Sequence, residues 1–287
     1  PIATRDPCLR KSRKIMSNLD IKNVLRSSKI TEMLRGISHY IYSVMPAEDE
    51  RKLHKDVHDY WSASEASDRI KDFSHCRGKG RWDETAWQEI GSSHYSLFQK
   101  LCKMSNIPLE SVRKMLEWGP GGGANVVAFA SHFTEIYGVD ISQSNLDECA
   151  NQLNKTGVTS FHPVLIEPSS PQEGILQFQG KIDFFLSTAV FQHFPSKAYG
   201  IEVLKIANNL LGERKIALIQ IRYDNLELKY KPKTRSYKHN AITFTSYRID
   251  EFWNICADTG FKPLSVILSP EVNYAYYLLQ KNSIEPS

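Results

Sequence analysis

Hydrophobic positions change their spacing near residue 110, and the change divides the chain. Over residues 18–45 the apolar positions Ile21, Val24, Leu25, Met33, Leu34, Ile37, Ile41 and Val44 recur at three and four, the period of one helix face. Pro46 ends that element. Ala47-Glu48-Asp49-Glu50 opens another with acids in its first turn, where the helix dipole favours them. Further helices are predicted through residue 104, with loops at Cys76–Arg81 and near Gly91, and Asn106-Ile107-Pro108 closes the helical part.

From residue 112 onward short apolar runs alternate with helical stretches. The runs are Arg113–Trp118, Thr134–Asp140, Phe161–Ile166, Ile182–Ser187, Lys215–Arg222, Pro263–Leu268 and Asn273–Gln280. Helices are predicted at about 123–131, 142–155, 171–177, 196–210 and 246–259. Such alternation belongs to a parallel sheet, because each parallel pair needs a crossover. Only Ser269–Val272 separates the last two runs, which is too short for a crossover, so they are predicted to pair antiparallel. The predicted fold is α/β: a doubly wound, mostly parallel seven-stranded sheet with an antiparallel last strand, plus an N-terminal helical lid. Its expected organisation is a basic helical extension over 1–46, a helical lid or cap over 47–108, and a domain over 109–287 that carries a flap at 223–242.

Composition supports this picture. Of 287 residues, 41% are apolar and 24% charged, with Gly 15 and Pro 13, enough to bury a core and too ordered a mixture for a fibrous or disordered chain. No uninterrupted apolar run reaches the ~18 residues of a membrane-spanning helix. Cys8, Cys76, Cys102, Cys149 and Cys256 are scattered without a C-x-x-C pair. They are expected to be reduced thiols of a cytoplasmic protein, not a disulfide framework or zinc site. The basic start Arg5–Lys14 lacks the apolar segment of a secretory leader. The net charge of +4 is uneven: residues 1–46 hold nine Lys/Arg and three Asp/Glu, a net of +6. Two readings stay open, a solvated helix face and an arm for a membrane surface or nucleic acid.

The strongest chemical signal is Leu116-Glu117-Trp118-Gly119-Pro120-Gly121-Gly122-Gly123-Ala124-Asn125, between a predicted strand and a predicted helix. Glycines there permit a tight turn and close approach of a ligand to the backbone. Gly119-x-Gly121-x-x-Ala124 also fits a dinucleotide fingerprint. Glu117 argues against that ligand, since a carboxylate would repel a pyrophosphate and suits a cationic ammonium group.

Glu117-x-Gly119-x-Gly121-x-Gly123 resembles the first motif of the class I S-adenosylmethionine-dependent methyltransferases. The order of elements is similar as well, over roughly 112–281. The resemblance implies that S-adenosylmethionine is the cofactor, with S-adenosylhomocysteine as product. It implies cofactor contacts at Glu117, Gly119, Gly121 and Gly123, at Asp140 and Ile141 after the second strand, at Glu167 after the third, and at Thr188 and Ala189 after the fourth. Asp140 is placed to accept both ribose hydroxyls. Glu167 is the nearest match to the family's adenine-side residue, although the usual Asp-Ala/Ser pair is absent and a loop acid is an equal reading.

Ser187-Thr188-Ala189-Val190-Phe191-Gln192-His193-Phe194-Pro195 resembles the family's segment where donor meets acceptor. His193 is the candidate catalytic base, because imidazole titrates near neutrality; a packing role is the competing reading. His58 and His94 read as surface or packing residues. Candidate acceptor contacts are Gln192, Tyr60 and Trp61 on the lid, and Arg222 and Tyr223 where the flap begins. Residues 222–240 carry six Lys/Arg against two acids, with Tyr223, Tyr230 and Tyr237 interleaved. A positive aromatic flap suits an anionic or sugar-bearing acceptor.

The expected function is methyl transfer to a small-molecule hydroxyl, on a sugar-containing or acidic metabolite, with no metal ion. The alternative is an RNA or protein methyltransferase using the basic N-terminus and flap. The tetrad of base-nitrogen RNA enzymes is missing, since Thr188-Ala189-Val190-Phe191 stands there, so a nucleic-acid acceptor is disfavoured. A nicotinamide dehydrogenase is disfavoured too: Tyr277-x-x-x-Lys281 falls in a predicted strand, where four residues span ~13 Å. A cofactor-binding partner subunit without turnover and a homo-oligomeric enzyme are both compatible with the sequence.

Overall fold

A computed structural model of the protein describes residues 29–62 and 68–283. Three helices come first, α1 (Lys29–Val44), α2 (Glu50–Trp61) and α3 (Asp68–Phe73), followed by the long α4 (Glu84–Met104). Asp49 caps α2 by accepting from the Lys52 amide, and Asp83 caps α4 through the Ala86 amide, which satisfies amides that a helix start leaves free.

The alternating part forms one seven-stranded sheet. Its strands are β1 (Lys114–Trp118), β2 (Glu135–Asp140), β3 (Phe161–Leu165), β4 (Ile182–Ser187), β5 (Leu211–Arg222), β6 (Phe261–Ser269) and β7 (Tyr274–Lys281). They lie in the order β3-β2-β1-β4-β5-β7-β6. β7 runs antiparallel to both β5 and β6, as the short connection requires. The crossover helices are α5 (Ala124–Phe129), α6 (Gln143–Asn154), α7 (Lys197–Leu210) and α9 (Ile249–Asp258), and the flap carries the single-turn α8 (Tyr237–Asn240).

Strand periodicity divides the core between the two sheet faces. Met115, Phe184 and Ile216 pack with Phe98, Phe129 and Leu153 on one face. Leu116, Phe185 and Ala217 pack with Val203, Leu204 and Phe252 on the other. A third cluster joins Leu53, Val57 and Trp61 of α2 to Tyr237 and Ala241 of the flap and to Phe244 just after it.

Three expectations are corrected. No loop interrupts the chain at Gly91, which lies within α4. A Cβ there would meet the Ala124 carbonyl oxygen at 2.1 Å, so the glycine lets α4 and α5 approach closely. Residues 171–177 do not form an α-helix; Gly174 adopts φ 81 there and a short 3₁₀ turn, Leu176–Phe178, follows. The expected lid over 47–108 also divides in two. α4 is a layer of the sheet sandwich, with the Phe98 ring 4.3 Å from that of Phe184, while α2, α3 and residues 74–76 cover the strand ends. Residues 1–28, with Cys8, Ile21, Val24 and Leu25, lie outside the described residues. The other four cysteines are free and buried.

Candidate active site

Strand order reverses between β1 and β4, and a pocket opens beyond their carboxyl ends. That crevice is where open α/β sheets bind ligands. Of the expected residues, Glu117, Gly119, Gly121, Asp140, Ile141, Thr188, Ala189, His193 and Trp61 line it. Gly123, Glu167, Gln192, Tyr60, Arg222 and Tyr223 stand outside the lining.

The glycine loop is shaped by the protein's own backbone. Gly119, Gly121 and Gly123 adopt φ of 75, 52 and 86, a region open to glycine. A Cβ on Gly121 would meet the Ser74 carbonyl oxygen at 2.3 Å, and one on Gly122 the His75 carbonyl oxygen at 2.4 Å. The Gly122 amide donates to that Ser74 oxygen across 2.6 Å. The segment after α3 is thus fastened to the loop by main-chain contacts. Gly123 lets α5 and α6 approach, since its Cβ would meet Cys149 Sγ at 2.9 Å.

Glu117 is buried at the end of β1. Its Oε1 accepts from Asn125 Nδ2 across 2.6 Å, and the same amide nitrogen donates to Thr188 Oγ1 at 2.8 Å. Asn125 Oδ1 lies 2.8 Å from His94 Nδ1, which makes that ring nitrogen the donor. Glu117 Oε2 has no partner. Burial raises the Glu117 carboxyl to about 8, and the nearby Asp140 charge pushes the same way. A buried acceptor oxygen without a donor is costly, and an ammonium group would satisfy it.

Asp140 ends β2. Its carboxylate accepts from the Ser142 amide at 2.9 Å, the Gly121 amide at 3.4 Å and Asn145 Nδ2 at 3.4 Å. Burial nevertheless raises its pKa to about 6. Ile166 lines the pocket, whereas Glu167 turns away into a bridge with Ser170.

His193 ends the short turn after β4. Its Nδ1 lies 2.7 Å from the Ala241 carbonyl oxygen. A carbonyl only accepts, so Nδ1 carries the proton, and Nε2, 3.4 Å from Gln192 Nε2, is the acceptor nitrogen. Burial holds the imidazole down near 4, so it is neutral at pH 7. The Trp61 ring sits 4.8 Å from the imidazole. Trp61 Nε1 donates to Tyr237 OH at 2.8 Å, and Tyr237 donates to the His193 carbonyl oxygen at 2.6 Å. Ala189 is held at φ 57, and its amide donates to Gln220 Oε1 at 3.2 Å.

The flap folds against the helices instead of reaching into the pocket. Lys238 pairs with Asp56 and Asp59 of α2. Lys233 is buried, with Nζ donating to the carbonyl oxygens of Lys229 and Lys231. Arg222 stacks over the Tyr230 and Tyr274 rings. No Lys or Arg stands among the described residues that line the pocket.

Asn125, Asn145 and the Ser74–His75 backbone were not singled out from sequence, and His94, read there as a surface or packing residue, joins the Asn125 network. Asn125 adjoins the glycine motif and Asn145 lies on the first turn after Asp140, so position alone pointed to them. Nothing in sequence marks the role of a backbone carbonyl such as that of Ser74.

Residues 91–266 match the model of a family described as methyltransferase domain. No curated protein matches the chain. Among solved structures, magnesium protoporphyrin IX methyltransferase from Synechocystis, with bound S-adenosylhomocysteine, is 14% identical with a TM-score of 0.55, covering 80% of this chain and 100% of that one. The N-methyltransferase NodS from Bradyrhizobium japonicum, also with S-adenosylhomocysteine, is 10% identical with a TM-score of 0.51, covering 80% and 99%. An S-adenosylmethionine-dependent methyltransferase from Clostridium acetobutylicum is 12% identical with a TM-score of 0.52, covering 71% and 94%. These likenesses are of fold.

Proposed function

This chain belongs to the methyltransferase-domain family, and on that premise we propose that it methylates a hydroxyl of an uncharged, largely apolar small molecule, with S-adenosylmethionine as donor and His193 as base. One observation carries the reading: Glu117 Oε2 is buried beside the pocket with no hydrogen-bond partner, and an ammonium group answers that vacancy in charge and in donor capacity.

Glu117 would hold the amino group of the cofactor, Asp140 its ribose hydroxyls, and Ile141 and Ile166 the flat base. When bound, the cofactor supplies an electrophilic methyl group. The chain's own residues do the rest. His193 Nε2 takes the proton of the acceptor hydroxyl, and the Ala241 carbonyl oxygen stabilises the imidazolium that results. Trp61 and the segment at Ser74–His75 exclude water from the covered crevice.

The acceptor is read from the lining beyond those groups. Val57, Trp61, Phe73, Phe194, Pro195 and Tyr199 surround it, and they favour a flat or apolar body. The expectation of an anionic or glycosylated acceptor rested on the flap cations, and these are engaged outside the pocket. The flap's share of the support for an RNA or protein acceptor goes with it, while residues 1–28 of the basic N-terminus lie outside the described residues.

Titration calorimetry with S-adenosylmethionine, S-adenosylhomocysteine and NADH tests the cofactor reading. The first two bind and NADH does not; tight NADH binding with neither of the others would overturn it. A screen of phenols and apolar alcohols against polar sugars and carboxylates, read as S-adenosylhomocysteine release, tests the acceptor. Turnover confined to carboxylates would sink the hydroxyl reading.

A further inference from the structure

His94 stands outside the pocket lining, yet it meets the residue that holds Glu117. It lies on α4 one turn after Gly91, and residues three apart share a helix face. The close approach of α4 to α5 that Gly91 permits brings the His94 ring onto Asn125. His94 Nδ1 is 2.8 Å from Asn125 Oδ1. Its other nitrogen, Nε2, lies 3.4 Å from the hydroxyl oxygen of Tyr276, a buried residue of β7, with the two ring centres 5.7 Å apart.

These contacts have a direction. Burial lowers the His94 pKa, so the ring is neutral at pH 7 and offers one donor and one acceptor nitrogen. Asn125 Oδ1 only accepts, so Nδ1 carries the proton and Nε2 accepts from the Tyr276 hydroxyl. The Asn125 amide is thereby turned with Nδ2 toward Glu117 Oε1, at 2.6 Å. A reversed amide would bring two oxygens together there, which only a protonated Glu117 satisfies, and it would need the His94 proton on Nε2. The tautomer of His94 and the ionisation of Glu117 are thus two ends of one chain. Among the described residues, the other titratable groups around Glu117 are Asp140 of β2, whose charge pushes the Glu117 pKa up, and Cys149 of α6, which burial keeps a thiol. His75, His193 and Tyr199 of the pocket wall are kept uncharged by burial.

We propose that His94 and Tyr276 are positioning residues for the cofactor's amino group: through the orientation of the Asn125 amide they hold Glu117 as the carboxylate that the ammonium requires. The role depends on Glu117 being the partner of that ammonium. Neither side chain touches the ligand, and both act through Asn125.

Two measurements test the proposal. The first needs no cofactor: carbon-13 titration of the Glu117 carboxyl, identified by its loss in Glu117→Gln, follows the acid in the ligand-free protein. His94→Leu leaves the amide free to turn and is expected to raise the Glu117 midpoint by about one pH unit. The second is calorimetry with S-adenosylhomocysteine. Affinity at pH 7 falls about tenfold in His94→Leu, and the pH at which it levels rises with the midpoint. Tyr276→Phe moves both in the same direction by less, and His94→Gln, which keeps a donor for Asn125 Oδ1, restores most of the wild-type behaviour. Circular dichroism confirms that each variant is folded. A Glu117 midpoint unmoved in His94→Leu, or in Tyr276→Phe should the former unfold, overturns the proposal and makes His94 a packing residue, whatever the melting temperature does. If the midpoint responds to His94 but the wild type binds no S-adenosylhomocysteine, the ammonium assignment of Glu117 falls instead, and the proposal with it.

Discussion

Asn125 Nδ2 lies 2.6 Å from Glu117 Oε1, so the first turn of α5 holds the carboxylate at the end of β1. The same asparagine reaches Thr188 after β4 and His94 on α4. One side chain therefore ties the glycine loop, the donor-facing turn and a sheet-covering helix together, and it fixes which Glu117 oxygen stays open.

Removing that tie weakens cofactor binding. Asn125→Ala is expected to cost about 1.5–3 kcal/mol in affinity, the range for a hydrogen bond to a charged group. Asn125→Asp costs more, because a second carboxylate then faces Glu117. Calorimetry on both variants checks the order, and equal affinities would show that the asparagine does not position the acid.

Proton release should accompany binding. The free Glu117 carboxyl titrates near 8, so at pH 7 it is largely protonated, and an ammonium ligand requires it ionised. Affinity therefore rises with pH by up to about tenfold per unit until pH 8 and then levels. Calorimetry in buffers of different ionisation enthalpy reads the released proton, and Glu117→Gln eliminates it. The same raised pKa has a consequence for the ligand-free protein. Folding takes up a proton between the ordinary carboxylate range and about 8, so stability falls as pH climbs through that window.

His193→Gln is expected to lower turnover by about 10²–10⁴-fold with cofactor affinity nearly unchanged. With the wild-type base held near 4, the reaction at saturating cofactor should lose rate only as pH falls through about 4. A pH–rate profile with its acid limb near the ordinary imidazole value would contradict the buried neutral histidine.

Gly121→Ala separates packing from strain. The new Cβ would meet the Ser74 carbonyl oxygen at 2.3 Å, whereas one on Gly157, at φ 79, meets nothing within 4 Å. Both substitutions carry backbone strain of about 1–3 kcal/mol. Only Gly121→Ala should also displace the segment after α3, so cofactor affinity falls there and not in Gly157→Ala. Thermal melts and calorimetry on the pair compare the two effects.

Much of this was legible along the chain, for identifiable reasons. The four-residue link between β6 and β7 leaves no length for a crossover, so the reversed strand follows from counting. Glu117 and Asp140 close apolar runs, and strand ends at a switch point face the crevice. What was missed depended on partners distant in sequence. Gly91 reads as a break until the Ala124 carbonyl is placed against it. The flap cations read as a binding surface until Asp56 and Asp59 arrive from α2. Pro171–Gln177 has helix-like apolar spacing, yet Gly174 takes a left-handed conformation that ends it. Tyr60 and Trp61 are neighbours, and only the orientation of α2 decides that Trp61 faces the pocket.

The insertion of β7 between β5 and β6 bears on how the chain matures. Among the described residues β6 has no other strand beside it, so until Tyr274–Lys281 has emerged from the ribosome β6 stays detached and the flank of β5 lies bare. Assembly of the sheet must therefore await translation of that segment, and a premature stop ahead of Tyr274 would leave two unpaired flanks prone to self-association.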